Sequence, residues 1–142
     1  MYSTHLLVGW QDLDTAGRPH WPNYFLWVSR AFDEFLVSRR VDWNQWIEER
    51  DVGMPIQHAE CSYRAPLQLH DRVTIQLQFR EVSARGFETH FTVNHPEGHE
   101  VASGLIRRRF VSLKQFCGIQ APDDIVAIFA DPGSLPDKYF QS

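Results

Sequence analysis

Cysteine is scarce in this chain, and its scarcity excludes several kinds of site. The 142 residues include two cysteines, Cys61 and Cys117, and neither lies in a spacing typical of zinc or redox centres. We therefore expect no metal ion and no disulfide framework. Reduced thiols are the rule in the cytoplasm, which is the location that we predict.

Long apolar runs and a surplus of positive charge are also missing. The longest apolar run, IVAIFA at 125–130, is too short to span a membrane. The N-terminus, MYSTHLLVGW, has no basic region followed by a long apolar stretch, so it does not resemble a signal peptide. The net charge is −4, and phosphate backbones require a basic field. We expect a protein that binds neither membranes nor nucleic acid.

Several catalytic fingerprints are absent as well. The sequence has no Gly-x-Ser-x-Gly elbow, no phosphate-binding loop and no dinucleotide fingerprint. A serine hydrolase of the elbow type and a nucleotide-dependent enzyme are therefore disfavoured, and we expect no cofactor. Hydrophobic residues make up 43% and aromatic residues 13%, which is enough to form a core. The length predicts one domain over residues 1–142.

The pattern of apolar residues predicts an α+β protein. A strand at THLLVG precedes a long helix from Pro22 to about Ser38, with proline at its first position. A short helix follows at DWNQWIEER, where Asp42 and Gln45 form a capping pattern. Strands are predicted at AECSYRAP, DRVTIQLQFR, FETHFTV and EVASGLIRRRFVSL, with a bulge near the three arginines of the last one. Residues 118–142 are predicted to be an irregular tail with a short apolar turn at 125–129.

The stretch DLDTAGRPHWPNYFLW, residues 12–27, combines carboxylates and loop-forming residues just ahead of the long helix. A helix N-terminus presents unpaired N–H groups and can hold a developing oxyanion. A carboxylate upstream can act as base or nucleophile, and Gly17 lets the backbone approach a ligand. These residues therefore allow an acyl-transfer site that uses Asp14 and N–H groups near Trp21. On spacing alone they favour a structural interpretation, in which the aspartates form turns and Trp21 packs on the helix start.

The same stretch resembles the 4-hydroxybenzoyl-CoA thioesterase branch of the hotdog-fold thioesterases. The pattern of that branch is Asp-x-Asp-x-x-Gly, four residues, then Pro or Ala, Asn and Tyr. The matching residues are Asp12, Asp14, Gly17, Asn23 and Tyr24. More loosely, the resemblance extends over about residues 5–113 and includes YRAPLQLHDRVTIQL, ARGFETHFTV and GHEVASGLIRRRFVSL. One departure is Arg18-Pro19, where relatives usually carry small β-branched residues.

The resemblance implies a fold, an activity and a set of site residues. The fold would be a hotdog, an antiparallel sheet wrapped around the long helix. The activity would be hydrolysis of an acyl-CoA thioester, without metal or cofactor, in a homodimer or homotetramer whose site lies at the dimer interface. Asp14 would attack the thioester carbonyl or activate water, and the Trp21 N–H would hold the carbonyl oxygen. Gly17, Asn23 and Tyr24 would line the substrate site, and Arg85 would contact the phosphates of coenzyme A.

Two other functions remain compatible with the sequence. One is a hotdog module that binds acyl-CoA or an acyl-carrier protein without hydrolysis, an alternative kept open by Arg18-Pro19. The other is a purely structural dimer in which Asp14 only caps the loop. Which acyl group is used, and whether Asp14 attacks directly or through water, cannot be read from these residues.

Overall fold

The computed structural model describes residues 1–130, which form strands, three helices and a 3-10 turn at Trp10–Asp12. The helices are α1 (Asn23–Ser38), α2 (Trp43–Glu48) and α3 (Asp123–Phe129). The strands are β1 (Tyr2–Leu7), β2 (Ile56–Tyr63), β3 (Arg72–Ser83), β4 (Gly86–Asn94), β5 (Glu100–Arg109), β6 (Val111–Ser112) and β7 (Cys117–Gly118). The predicted α+β class is therefore confirmed.

The main sheet has five strands in the order β1-β3-β4-β5-β2. β1 pairs antiparallel with β3, from Tyr2 opposite Leu77 to Leu7 opposite Arg72. The predicted alternation is present in β3, where the side chains of Val73, Ile75 and Leu77 are buried. Alternate side chains of a strand point to opposite faces, so β3 has one apolar face and one more polar face.

The described residues pack as two compact units. The first comprises Met1–Glu34, Glu60–Gln78 and His90–Leu105. In its core the rings of Phe25, on α1, and Phe91, on β4, lie 6.3 Å apart. The first unit also contains the whole of the stretch at 12–27.

The second unit comprises Phe35–Ala59, Phe79–Thr89 and the described residues from Ile106 onwards. Its core is a cluster of phenylalanine rings around Phe129, which stacks on Phe87 with centroids 4.1 Å apart and 14° between the planes. Aromatic side chains bury the largest areas in protein cores, so this cluster accounts for much of the unit's packing.

The C-terminal segment differs from the prediction of an irregular tail. Residues 123–129 form α3, which buries Ile125, Ile128 and Phe129. Residues 131–142 lie outside the described residues. The predicted single domain over 1–142 stays a prediction. Among residues 1–130, no helix combines the length and the hydropathy needed to cross a membrane.

The other predicted elements are present, but several bounds differ: β1 and β2 begin two and three residues before the predicted THLLVG and AECSYRAP, and β5 ends at Arg109 instead of continuing through FVSL. Helix α1 begins at Asn23, one residue after Pro22, and the Asp42 carboxylate caps α2 by accepting the Gln45 N–H. The break in alternation of β5 lies at its start rather than at the arginines. Val101 and Ala102 are both buried, and the Val101 carbonyl accepts the N–H groups of both Arg64 and Ala65. Two donors opposite one acceptor disturb the ladder at this point.

Candidate active site

Asp12 anchors the loop ahead of α1. Its carboxylate accepts the Gly9 N–H at 2.8 Å and the Trp27 indole N–H at 3.3 Å. Its carbonyl accepts the His20 N–H and the Asn23 side-chain N–H, both at 2.8 Å. These four hydrogen bonds tie the two ends of the loop and the first turns of the helix to one residue. Asp12 therefore has a structural role, as expected of a loop-capping aspartate.

Asp14 lies on the exposed turn that this loop forms. One carboxylate oxygen, Oδ1, accepts the N–H groups of Ala16 at 2.8 Å and Arg18 at 3.2 Å. The Asp14 N–H donates to the Arg18 carbonyl at 2.7 Å, and Gly17 adopts φ +75°. Within residues 1–130 the second oxygen, Oδ2, has no hydrogen-bond partner. The turn thus fixes the carboxyl group through one oxygen and leaves the other available.

Trp21 lies two residues before the helix starts. The N–H groups of Phe25 and Leu26 donate to the Pro22 carbonyl, which closes the first turn of α1. The Trp21 N–H donates to no acceptor in the described part of the chain. Its indole is 61% exposed. A backbone donor of this kind at the positive end of a helix can receive an anionic oxygen.

Asn23 and Tyr24 match the sequence pattern but have structural partners here. The Asn23 amide nitrogen is occupied by the Asp12 carbonyl. The Tyr24 side chain is 5% exposed and lies between the rings of Trp27, at 4.8 Å, and Tyr63, at 4.9 Å. The predicted substrate contacts of these two residues stay predictions, while their contacts in the chain stabilise the loop and the helix start.

Tyr63, on β2, is a residue to which no pattern in the sequence points. Its hydroxyl donates to the Trp21 carbonyl at 2.8 Å. Although Tyr63 is 45% exposed, partial burial of its side chain, and then the nearby Cys61 thiol, raise the pKa of Tyr63 to about 12, so the hydroxyl stays protonated and remains a donor at neutral pH. Nothing in the motif points to a tyrosine 42 residues further along the chain. The contact depends on how the strand and the loop pack.

Arg85 belongs to the second unit, in the turn between β3 and β4. With Arg107, Arg108 and Arg109 it lines a pocket of about 190 Å³. Arg107 pairs with Glu88 at 2.9 Å. The guanidinium groups of Arg85 and Arg109 have no ion-pair partner among the residues described. Glu81 and Glu88 also line the pocket, but its four arginines outnumber them. Guanidinium groups bind phosphate oxygens well, so this pocket suits an anion.

A cluster at the β4–β5 turn has the composition of a metal site. Ligand atoms of His95, Glu97 and His99 lie within 4.8 Å of one another. However, His95 Nδ1 accepts the Glu97 N–H at 3.1 Å, and its Nε2 lies 3.6 Å from the Asp71 carboxylate. Because both ring nitrogens of His95 face partners, we interpret the cluster as side chains that stabilise the turn.

Comparison with known proteins agrees with the resemblance read from the sequence. The model of the Thioesterase-like superfamily matches residues 8–129. A 1,4-dihydroxy-2-naphthoyl-CoA hydrolase of Thermosynechococcus vestitus is 22% identical over 120 residues, which are 84% of this chain and 82% of that protein. The protein of the same name from a Synechococcus species is 27% identical over 123 residues, 83% of this chain and 82% of its own.

Solved structures give the same class. A gentisyl-coenzyme A thioesterase is 28% identical, with a TM-score of 0.75 over 87% of this chain and 98% of that one. A 1,4-dihydroxy-2-naphthoyl-CoA thioesterase from Synechocystis reaches a TM-score of 0.86 at 19% identity, over 94% of this chain and 98% of that one.

The fold is therefore the hotdog fold of thioesterases, which confirms the predicted architecture. Because the family model matches residues 8–129, which are most of the sequence, the chain belongs to the Thioesterase-like superfamily. The predicted enzyme class, thioester hydrolase, agrees with the names of these relatives.

Proposed function

We propose that this protein hydrolyses an acyl-CoA thioester to a carboxylic acid and free coenzyme A, with Asp14 as nucleophile or general base. The observation that carries the proposal is the state of the Asp14 carboxylate. The turn holds it through Oδ1, and Oδ2 has no partner among residues 1–130. Asp12, by contrast, accepts hydrogen bonds through both of its carboxylate oxygens.

The Trp21 N–H is the proposed oxyanion donor. When the acyl carbon is attacked, negative charge develops on the carbonyl oxygen, and a fixed backbone donor stabilises it more than it stabilises the ground state. The C–S bond then breaks, and the coenzyme A sulfur leaves and takes up a proton. Asp14 contributes in one of two ways. It either forms an anhydride that water hydrolyses or removes a proton from the attacking water.

The substrate is proposed from two observations. The pocket with Arg85 and Arg109 offers two cations that have no ion-pair partner among residues 1–130, of the kind that bind phosphates of coenzyme A. The relatives named above act on 1,4-dihydroxy-2-naphthoyl-CoA and gentisyl-CoA, both of which are aromatic hydroxyacyl thioesters. The first substrates to test are therefore aromatic acyl-CoAs, followed by short and long aliphatic ones.

A homodimer, or a homotetramer of two such dimers, is the proposed assembly. β2 is at the end of the sheet order, and nearly all of its side chains are exposed, including Ile56 at 52%. An exposed edge strand of this length is ready to pair with another chain. Light scattering coupled to size exclusion measures the mass of the particle, and a monomer that is fully active would contradict the assembly.

The test of the function is release of free thiol from the acyl-CoA panel by wild type and Asp14→Asn. The asparagine keeps an Oδ1 acceptor for the turn and removes the charge, so the fold should persist. We expect the variant to lose about 10²–10⁴-fold in kcat, the range of general acid–base catalysis. Asp33→Asn, on the exposed face of α1, is the matched control and should equal wild type.

The outcomes distinguish a thioester hydrolase from a module that binds acyl-CoA without hydrolysis. Turnover that depends on Asp14 supports the hydrolase. Acyl-CoA binding in calorimetry, with no turnover of any thioester, would replace the hydrolase by the binding alternative. An active Asp14→Asn variant would assign the carboxylate to the loop alone.

A further inference from the structure

Two peptide groups flank the Cα atom of Trp21, and each has one anchor. The first contains the His20 carbonyl and the Trp21 N–H, which point in opposite directions because the peptide is planar and trans. The Asn23 N–H donates to the His20 carbonyl at 2.9 Å, which orients this plane. The direction of the proposed oxyanion donor is therefore set partly by Asn23.

The second peptide joins Trp21 to Pro22. Proline has no N–H, so the Trp21 carbonyl is the only polar group through which this plane can be held. Tyr63 supplies that hydrogen bond at 2.8 Å. Without it, the second peptide would have no anchor in the described residues, and rotation about the Trp21 backbone would loosen the first peptide as well.

The Tyr63 ring is itself held in place. It meets the Tyr24 ring edge-on, with centroids 4.9 Å apart and an interplanar angle of 88°. Tyr24 contacts Trp27, whose indole N–H donates to Asp12. The packed rings of Tyr63, Tyr24 and Trp27 thus hold the Tyr63 hydroxyl in place. This row of rings ends at Asp12, which anchors the loop.

We propose that Tyr63 is a positioning residue, which holds the Trp21 peptide so that the Trp21 N–H stays aimed at the oxygen of the reacting carbonyl. The proposal rests on the proposed thioesterase function of the loop. Tyr63 does not have to contact substrate in this role. It acts on the transition state through Trp21.

The test is Tyr63→Phe, which removes the hydroxyl and keeps the ring on Tyr24. Losing an oxyanion donor outright costs about 10²–10³ in rate. Because Asn23 still holds the first peptide, we expect a smaller loss, a kcat about tenfold lower with KM changed less than about twofold. Ser62→Ala is the matched control, since it removes a hydroxyl from the preceding residue of β2 and should leave kcat and KM unchanged.

A vibrational measurement reports on the donor directly. A thioester with a ¹³C-labelled carbonyl is bound to Asp14→Asn, in which turnover is slow, and to the Asp14→Asn, Tyr63→Phe double variant. We expect the carbonyl stretch of the double variant at higher frequency, since a weaker hydrogen bond polarises the carbonyl less. A structural defect elsewhere would not move this band.

The results distinguish the two proposals. If wild type is active, Asp14→Asn is slow and Tyr63→Phe matches wild type, the role of Tyr63 is refuted and the thioesterase stands. A higher KM at unchanged kcat, or an unmoved carbonyl band, refutes it too. If wild type hydrolyses no thioester, both proposals fall.

Discussion

Asp12 and Asp14 stand two residues apart, and the structure predicts a large loss of stability when Asp12 is replaced and a small loss when Asp14 is replaced. Asp12→Ala removes the acceptor of the Trp27 indole N–H and of the Gly9 N–H. Trp27 is 4% exposed, so its indole N–H would be left largely buried without a partner. Such a loss costs about 1–3 kcal/mol, and losing the charged acceptor of Gly9 adds about 1–2 kcal/mol. We expect a total destabilisation of about 2–5 kcal/mol.

The assay is urea unfolding followed by tryptophan fluorescence, with Asp14→Ala as the matched control. Asp14 is exposed and holds only a surface turn, so its replacement should cost less than about 1 kcal/mol. A double-mutant cycle with Trp27→Phe isolates the indole bond and should show coupling of about 1 kcal/mol. Equal stability losses for the two aspartates, or no coupling with Trp27, would refute the division of roles between them.

Three further predictions concern the second unit. Phe129→Ala should destabilise the protein by about 3–5 kcal/mol in urea unfolding, because it empties the centre of the aromatic cluster; a loss below about 1 kcal/mol would contradict the packing of α3. Arg85→Ala should raise KM for acyl-CoA several-fold while leaving the same acyl group on N-acetylcysteamine unaffected, since that thiol has no phosphates; equal effects on both would exclude a phosphate contact. The Arg50 guanidinium lies 2.5 Å from the Asp124 carboxylate and lowers the pKa of Asp124. The charged carboxylate therefore stabilises the fold fully above its unfolded pKa of about 3.9, and this stabilisation is lost as pH falls through the lower pKa of the folded state. Thermal unfolding of Asp124→Asn should therefore lie below wild type at pH 7 and converge with it in acid, while Asp123→Asn serves as control.

The elements that were predicted correctly are those whose pattern is local. The alternation in β3 and the apolar stripe of α1 follow from the period of each element, and the cap of α2 needs only Asp42 and Gln45. α3 was expected to be only a turn because its seven residues lie in a proline-containing segment, and a helix this short is marginal without packing. Its stability comes from Phe129 and the rings around it, which are distant in the sequence.

In the candidate site, too, some features could be predicted from neighbouring residues, and others depend on the tertiary structure. From the sequence by itself, the resemblance of Asp12, Asp14, Gly17, Asn23 and Tyr24 to a family pattern determined the predicted class of protein, because these residues lie within thirteen positions and can be compared without knowing the fold. Only the tertiary structure decided that Asp12 anchors the loop, that one oxygen of Asp14 has no partner among residues 1–130, and that the Tyr63 hydroxyl donates to the Trp21 carbonyl. The physical reason is that hydrogen bonds between distant segments depend on strand register and ring packing, whereas turn and helix signals depend on neighbouring residues alone.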